Sequence, residues 1–242
     1  MKKAGAPGVS LEVQADLEAY NQRPNRAAGE WLGYQGAKWA ERNPVDVEAT
    51  DESFRKRYGL TKTWATRDAL REVPRECSCL EVGCSAGGFM AVLRTLGFGN
   101  VTGSDISVEP LLGQPKPRVL VHADANRLPF CDGAFDMVAT AGTLMHLGPP
   151  KRMIETLQGF ARITRRWLFL AELYAPSEPC LVSFGELLPP VWLFAWETAV
   201  PNCLGATEWA VRYHTVYELN KSHTGLSAPL SFTLLERLPK KS

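Results

Sequence analysis

What most constrains this chain is an alternation of short apolar strands and helices over residues 79–172, with a glycine-bearing turn at its start. Cys79–Val82 reads as a strand, and Gly87–Leu96 as a helix stopped by Gly97. Strands follow at Asn100–Ser104, Arg118–His122, Phe135–Thr140 and Trp167–Glu172, with a helix from Pro149-Pro150 to about Ile163 before the last. Such alternation predicts an α/β, Rossmann-like domain with a mostly parallel sheet and helices on both faces. Right-handed crossovers then put every strand's carboxyl end on one edge, where ligands of open sheets bind. Two further strands are expected at Trp209–Tyr213 and Leu230–Leu235. Residues 1–75 read as an N-terminal helical extension or lid, with helices from Ser10 to about Asn21 and from Asp51 to about Tyr58. The remainder, 76–242, is one domain with a substrate-side insert near 176–207.

The residues at successive strand ends carry the chemistry. The first strand runs into Glu81-Val-Gly83-Cys-Ser85-Ala-Gly87-Gly88. Gly83 permits a sharp turn, and Gly87 and Gly88 permit close approach of helix and backbone. The spacing is not G-x-G-x-x-G, which disfavours a nicotinamide or flavin dinucleotide and so an NAD-type oxidoreductase. No Lys-Ser/Thr follows the glycines, so the turn is not a P-loop. Ser85 replaces a middle glycine, which is tolerable where no pyrophosphate has to approach. Glu81 would repel a pyrophosphate but suits a ligand with an ammonium group, and S-adenosylmethionine has one beside its sulfonium. Asp105, ending the second strand 18 residues after Gly87, is placed to accept both ribose hydroxyls. Asp124, after the third, is placed to accept from the adenine amino group. Ile106 and Ala125 flank these carboxylates, and Thr140-Ala141 ends the fourth strand.

Four histidines differ in placement. His146, six residues past Thr140, is expected at the active edge as a general base or a positioning residue. His214 is a candidate substrate contact, His122 reads as a core residue and His223 as surface. Glu172 and Tyr174 follow the fifth strand and are the best candidates for meeting the acceptor. No histidine pair has ligand spacing, so no metal is expected.

The runs EVGCSAGGF (81–89), GSDIS (103–107), ADANRLPF (123–130) and AFDMVATAGTLMHL (134–147) resemble the class I S-adenosylmethionine methyltransferases. A narrower resemblance covers more of the chain. Residues 31–43, WLGYQGAKWAERN, look like the FW-x-G-x-x-G-x-x-Y-x-x-RN opening of the pseudaminic acid biosynthesis-associated methylases. Ala171–Pro176 looks like their AEYY-x-P segment, and Tyr213-His214 sits near a similar pair. Gly29-Glu30 stands where the family has its opening Phe, and Trp39 where it has Tyr. The resemblance implies a seven-stranded sheet with the last strand antiparallel, and cofactor contacts from Gly83, Asp105, Asp124 and the Thr140–Ala141 backbone. It also implies that Trp31 and Tyr34 close over the cofactor, by packing or by cation–π attraction to the sulfonium.

Composition bounds the partners. Formal charge is +1, from 27 basic and 26 acidic residues. Without a clustered basic face, nucleic acid is not expected, and Arg162, Arg165 and Arg166 read as a solvated helix end. The apolar run Leu187–Val200 is interrupted by Pro189, Pro190 and Glu197, too short to span a bilayer, and reads as buried or pocket-lining. Six cysteines without zinc spacing, behind no secretory segment, suggest a cytoplasmic protein. The expected function is methylation of a small molecule on O or N, with a sugar, nucleotide-sugar or natural-product intermediate as acceptor. The rival is a catalytically silent fold member acting as a binding or partner subunit. A homodimer is compatible with either.

Overall fold

The computed structural model describes residues 47–107, 119–182, 191–218 and 228–239. Trp31, Tyr34, the Ser10 helix and His223 lie outside them.

Helix α1, Val47–Tyr58, begins four residues before the expected Asp51. Its acidic first turn (Glu48) and basic last turn (Arg55, Lys56, Arg57) oppose the helix dipole. It stops at Gly59, whose φ of 76° lets the amide bond back to the Arg55 carbonyl at 2.9 Å. Helix α2, Lys62–Ala69, is capped by the Thr61 hydroxyl, which accepts from the Trp64 amide at 3.1 Å. The Asp51 carboxylate accepts from the Thr63 amide at 2.7 Å and holds the two helices together.

Strands β1 (Cys79–Val82), β2 (Val101–Asp105), β3 (Val119–His122), β4 (Phe135–Ala141) and β5 (Thr164–Leu173) alternate with helix α3 (Gly88–Thr95) and helix α4 (Pro150–Ile163). A ribbon of β6 (Cys180–Val182) and β7 (Val191–Leu193), then helix α5 (Trp196–Leu204), precede β8 (Trp209–Tyr217) and β9 (Leu230–Arg237). The main sheet runs β3-β2-β1-β4-β5-β9-β8, parallel except for β9, which lies antiparallel to both neighbours. The order reverses between β1 and β4, so the ligand-binding crevice of this sheet lies outside their carboxyl ends. Both late strands run longer than their sequence signal, because the β8–β9 pairing extends alternation past Tyr213 and Leu235.

Two cores flank the sheet. On one face, Phe54 of α1, Phe89 of α3, Phe169 of β5 and Phe232 of β9 pack with ring centroids 5.8–5.9 Å apart. On the other, α4 and α5 bury Leu157, Phe160, Trp196 and Val200 against Val138, Leu168 and Leu235. The described part of the Leu187–Val200 run is therefore core, and its Trp196 indole donates to the Leu173 carbonyl at 2.8 Å. His122 departs from its sequence reading. It ends an edge strand, is exposed, and pairs through Nε2 with the Ile106 carbonyl at 2.9 Å. The basic trio is divided among acids: Arg162 with Asp132, Arg165 with Asp136, and Arg166 with Glu236 of β9. Among the described residues, no helix is long and apolar enough to cross a membrane.

Helix α3 lies close on β2 because Gly103 has no side chain. A Cβ there would stand 2.5 Å from Met90 Sδ and 2.7 Å from Cys84 Sγ. Gly103→Ala should therefore destabilise the fold by about 1–3 kcal/mol through overpacking. Urea unfolding checks this; an unchanged midpoint would show that α3 gives way freely.

Candidate functional site

The turn after β1 is built from unusual backbone. Gly83 and Gly87 have φ of 75° and 80°, and Ser85, a non-glycine, sits at 44°. Gly83 and Cys84 both donate to the Ser104 carbonyl, at 2.7 and 3.0 Å, folding the turn over the end of β2. The Ser85 amide then donates to Asp105 Oδ2 at 2.8 Å, while the Ser107 amide donates to Oδ1 at 2.8 Å. Each carboxylate oxygen thus carries one backbone bond and keeps further acceptor capacity. Burial raises the Asp105 pKa, and the amides from Ser107 and Ser85 pull against it.

At the next strand end, Asp124 Oδ1 accepts from both the backbone and side-chain nitrogens of Asn126, each at 2.9 Å. Asn126 in turn accepts from Thr156 of α4 at 2.7 Å, so α4 fixes the Asp124 loop. After β4 the chain turns at Gly142 (φ 75°) into a 3-10 turn, Leu144–His146. The Thr143 amide donates to Glu172 Oε1 at 3.0 Å. Gly83 fits tightly against that loop, since a Cβ on it would lie 2.3 Å from Thr143 Oγ1.

These strand ends, roofed by α1 and α2, enclose a cavity of about 330 Å³, within the range of small-ligand sites. Glu81, Gly83, Ser85, Asp105, Ile106, Asp124, Ala125, Ala141 and His146 line it. Gly87 does not, and instead occupies the N-cap of α3. Thr140 is buried inside β4. Glu172 is fully buried and off the cavity lining, its Oε1 accepting from the Thr143 amide and its Oε2 left without a hydrogen-bond partner. Tyr174 and His214 also lie off the cavity lining. The Tyr174 hydroxyl donates to Glu197 of α5 at 2.8 Å, and His214 lies 3.6 Å from the same carboxylate and 2.9 Å from the Thr233 hydroxyl. That pair fastens α5 to the sheet.

Sequence reasoning passed over Arg57, Lys62 and Thr143, all of which line the cavity. Lys62 Nζ sits 4.8 Å from the centre of the Phe89 ring. Burial lowers its pKa, with Glu81 and Glu172 raising it back. Glu81 is 2% exposed, and its Oε2 has no hydrogen-bond partner. Burial pushes its carboxyl up to about 8 against the pull of Lys62. His146, half-buried at the cavity wall, is pushed down to about 4 by desolvation and is neutral at pH 7.

The strand order with its single reversed strand defines the class I methyltransferase fold. Two solved structures share it: the 1,6-didemethyltoxoflavin-N1-methyltransferase of Burkholderia thailandensis, and an S-adenosylmethionine-dependent methyltransferase of Methanosarcina mazei. The first is 15% identical, with 97% of this chain and 92% of that one covered at a TM-score of 0.59. The second is 17% identical, with 69% and 95% covered at 0.55. Residues 80–167, from the middle of β1 into β5, match the family model described as a methyltransferase domain. The demethylmenaquinone methyltransferase of Roseiflexus sp. (strain RS-1) is 33% identical over 131 residues, 51% of this chain. The chain covers 54% of that relative's length, about half.

The desolvation of half-buried His146 has a consequence for stability. Its folded pKa of about 4 lies below the unfolded 6.5. The unfolded chain therefore takes up the proton first as pH falls, and stability drains away between pH 6.5 and 4, by up to roughly 3 kcal/mol. His146→Gln should flatten that limb in unfolding midpoints measured from pH 7 to 4. Equal acid sensitivity in both proteins would contradict it.

Proposed function

We propose that this protein is an S-adenosylmethionine-dependent methyltransferase acting on a small-molecule acceptor. The observation that carries the reading is the meeting of three strand ends around one cavity, each offering the donor or acceptor that one part of this cofactor requires. Glu81 brings a buried carboxyl with an unpartnered oxygen, suited to the cofactor's ammonium. Asp105 keeps acceptor capacity on both oxygens for the ribose hydroxyls, and Asp124, with Oδ1 bonded to Asn126, would accept from the adenine amino group through Oδ2. Gly83 leaves the space a Cβ would fill, so the methionine portion can lie along the turn. The methyltransferase-domain match over 80–167 supports the same reading.

When bound, the cofactor supplies a methyl group already activated on a sulfonium. The protein's share is then to hold an acceptor lone pair in line with it, and orientation of this kind contributes about 7–11 kcal/mol. His146 lines the cavity as a neutral imidazole. A conjugate acid near pKa 4 makes it a weak base at pH 7, so it orients the acceptor instead of deprotonating it. Glu172 is a positioning residue that acts through the Thr143 amide.

A small acceptor is favoured by the size of the cavity and by neutralisation of the basic trio on α4 and β5. The relatives named above include two whose names state 1,6-didemethyltoxoflavin and demethylmenaquinone. The resemblance of Ala171–Pro176 and of residues 31–43 to the pseudaminic acid-associated methylases points further, to a sugar or nucleotide-sugar.

S-adenosylhomocysteine at 100 times its dissociation constant should stabilise the chain by about 2.7 kcal/mol in a thermal shift assay. Asp105→Ala should remove the shift at the same concentration. A shift with NAD and none with S-adenosylhomocysteine would sink the assignment.

A further inference from the structure

Helix α1 ends in three consecutive basic residues, and they do not behave alike. Arg55 and Lys56 both reach back to Glu52, at 2.6 and 3.5 Å. Arg57 is one residue too far round the helix to share that carboxylate. It lines the cavity instead, at an exposed position that places it near the mouth. Ser53 and Thr50, four and seven residues before it, fall on the same stripe and line the cavity too. Lys62, the first residue of α2, completes this wall. Arg57 lies near enough that its charge helps to lower the Lys62 pKa. Among the described residues, neither cation has a carboxylate within ion-pair distance.

The cavity is therefore divided by sign. Carboxylates stand at the strand ends and cations on the helical roof. The cofactor accounts for the first half: its ammonium, ribose and adenine match Glu81, Asp105 and Asp124, and its single carboxylate needs one cation at most. Like charges held side by side at a partly desolvated wall repel, and an anion between them reverses the sign of that interaction. A guanidinium fork, an ammonium and a hydroxyl are together a donor set for a carboxylate or a phosphate. Among the described residues the cavity lining holds one further cation, Arg152 of α4, whose helix turn is tied to the Asp124 loop through Thr156 and Asn126.

We propose that the methyl acceptor carries a carboxylate or phosphate group, held by Arg57 together with Lys62 and Ser53 on the α1–α2 wall. This rests on the cavity being the site of methyl transfer. The anion is an anchor and takes no part in the chemistry. It fixes one end of the acceptor at the roof, leaving the methylated atom to be set by distance from that anchor.

The test uses the full chain saturated with S-adenosylhomocysteine, titrated calorimetrically with inorganic phosphate and, separately, malonate, against sodium chloride at equal ionic strength. Binding of phosphate or malonate above the chloride control is expected, and whichever binds names the anion. Arg57→Gln should weaken it at least tenfold, and Arg55→Gln, an equal change of charge on the same helix, less than twofold. Affinity for S-adenosylhomocysteine should stay within threefold in Arg57→Gln. No binding above chloride, equal losses in the two variants, or a tenfold loss of S-adenosylhomocysteine affinity in Arg57→Gln would each overturn the anionic acceptor. If the wild-type chain fails to bind S-adenosylhomocysteine at all, the assignment as a methyltransferase fails first.

Discussion

The bond from the Ser85 amide to the Asp105 carboxylate organises the rest of the site. To make it, Ser85 adopts a left-handed backbone conformation, φ 44°, which costs a non-glycine residue roughly 1–2 kcal/mol. A hydrogen bond to a charged group returns about 1.5–3 kcal/mol, so the strained turn is sustained locally. Three further contacts depend on it. The turn brings Gly83 against Thr143, Thr143 is held by Glu172, and Asp105 is oriented between two amides. The ends of β1, β2, β4 and β5 are thereby joined in one series of short contacts around the switch point of the sheet. Removing the turn would leave Asp105 present but free to rotate.

Much of this was legible in the sequence, for a reason that also marks its limit. Apolar runs bounded by Gly, Asp and Pro locate strand ends, and in a parallel sheet all strand ends fall on one edge. Glu81, Asp105 and Asp124 could therefore be placed by counting. Counting cannot tell which face of the sheet a residue takes, because the face changes with every residue of a strand. Ala171 and Leu173 turn to the cavity, so Glu172 and Tyr174 between and after them turn away, one to the Thr143 loop and the other to α5. The same alternation puts Ala141 on the cavity and Thr140 in the sheet. His214 follows Tyr174 to the α5 side.

Arg57 and Lys62 escaped sequence reading for a different reason. All three of Arg55, Lys56 and Arg57 serve as favourable charges at a helix end, and the spacing of Arg57 from Glu52 shows only that it lacks that partner, not that it faces a cavity. What separates them is how α1 docks on α3 and β9, set by Phe54 and by the Asp51 bond to α2. That docking is a tertiary fact with no short-range signature. The pattern of fold legible and roof illegible follows from it: periodicity specifies a sheet, whereas the orientation of a covering helix is specified by a few large side chains.

The roof and floor also pull the free chain in opposite directions. Glu81 is a buried acid raised to about 8, so at neutral pH burial favours its protonated form and works against a charge there. Lys62 moderates this from α2 without forming a close ion pair, and its own burial keeps it from neutralising Glu81 outright. A full Lys62–Glu81 bridge would stabilise the empty protein and compete with an incoming ammonium. Full isolation of Glu81 would leave a charge that the fold could not tolerate. The intermediate separation keeps the carboxyl available, and an ammonium placed beside it, as proposed above, would favour its ionised form.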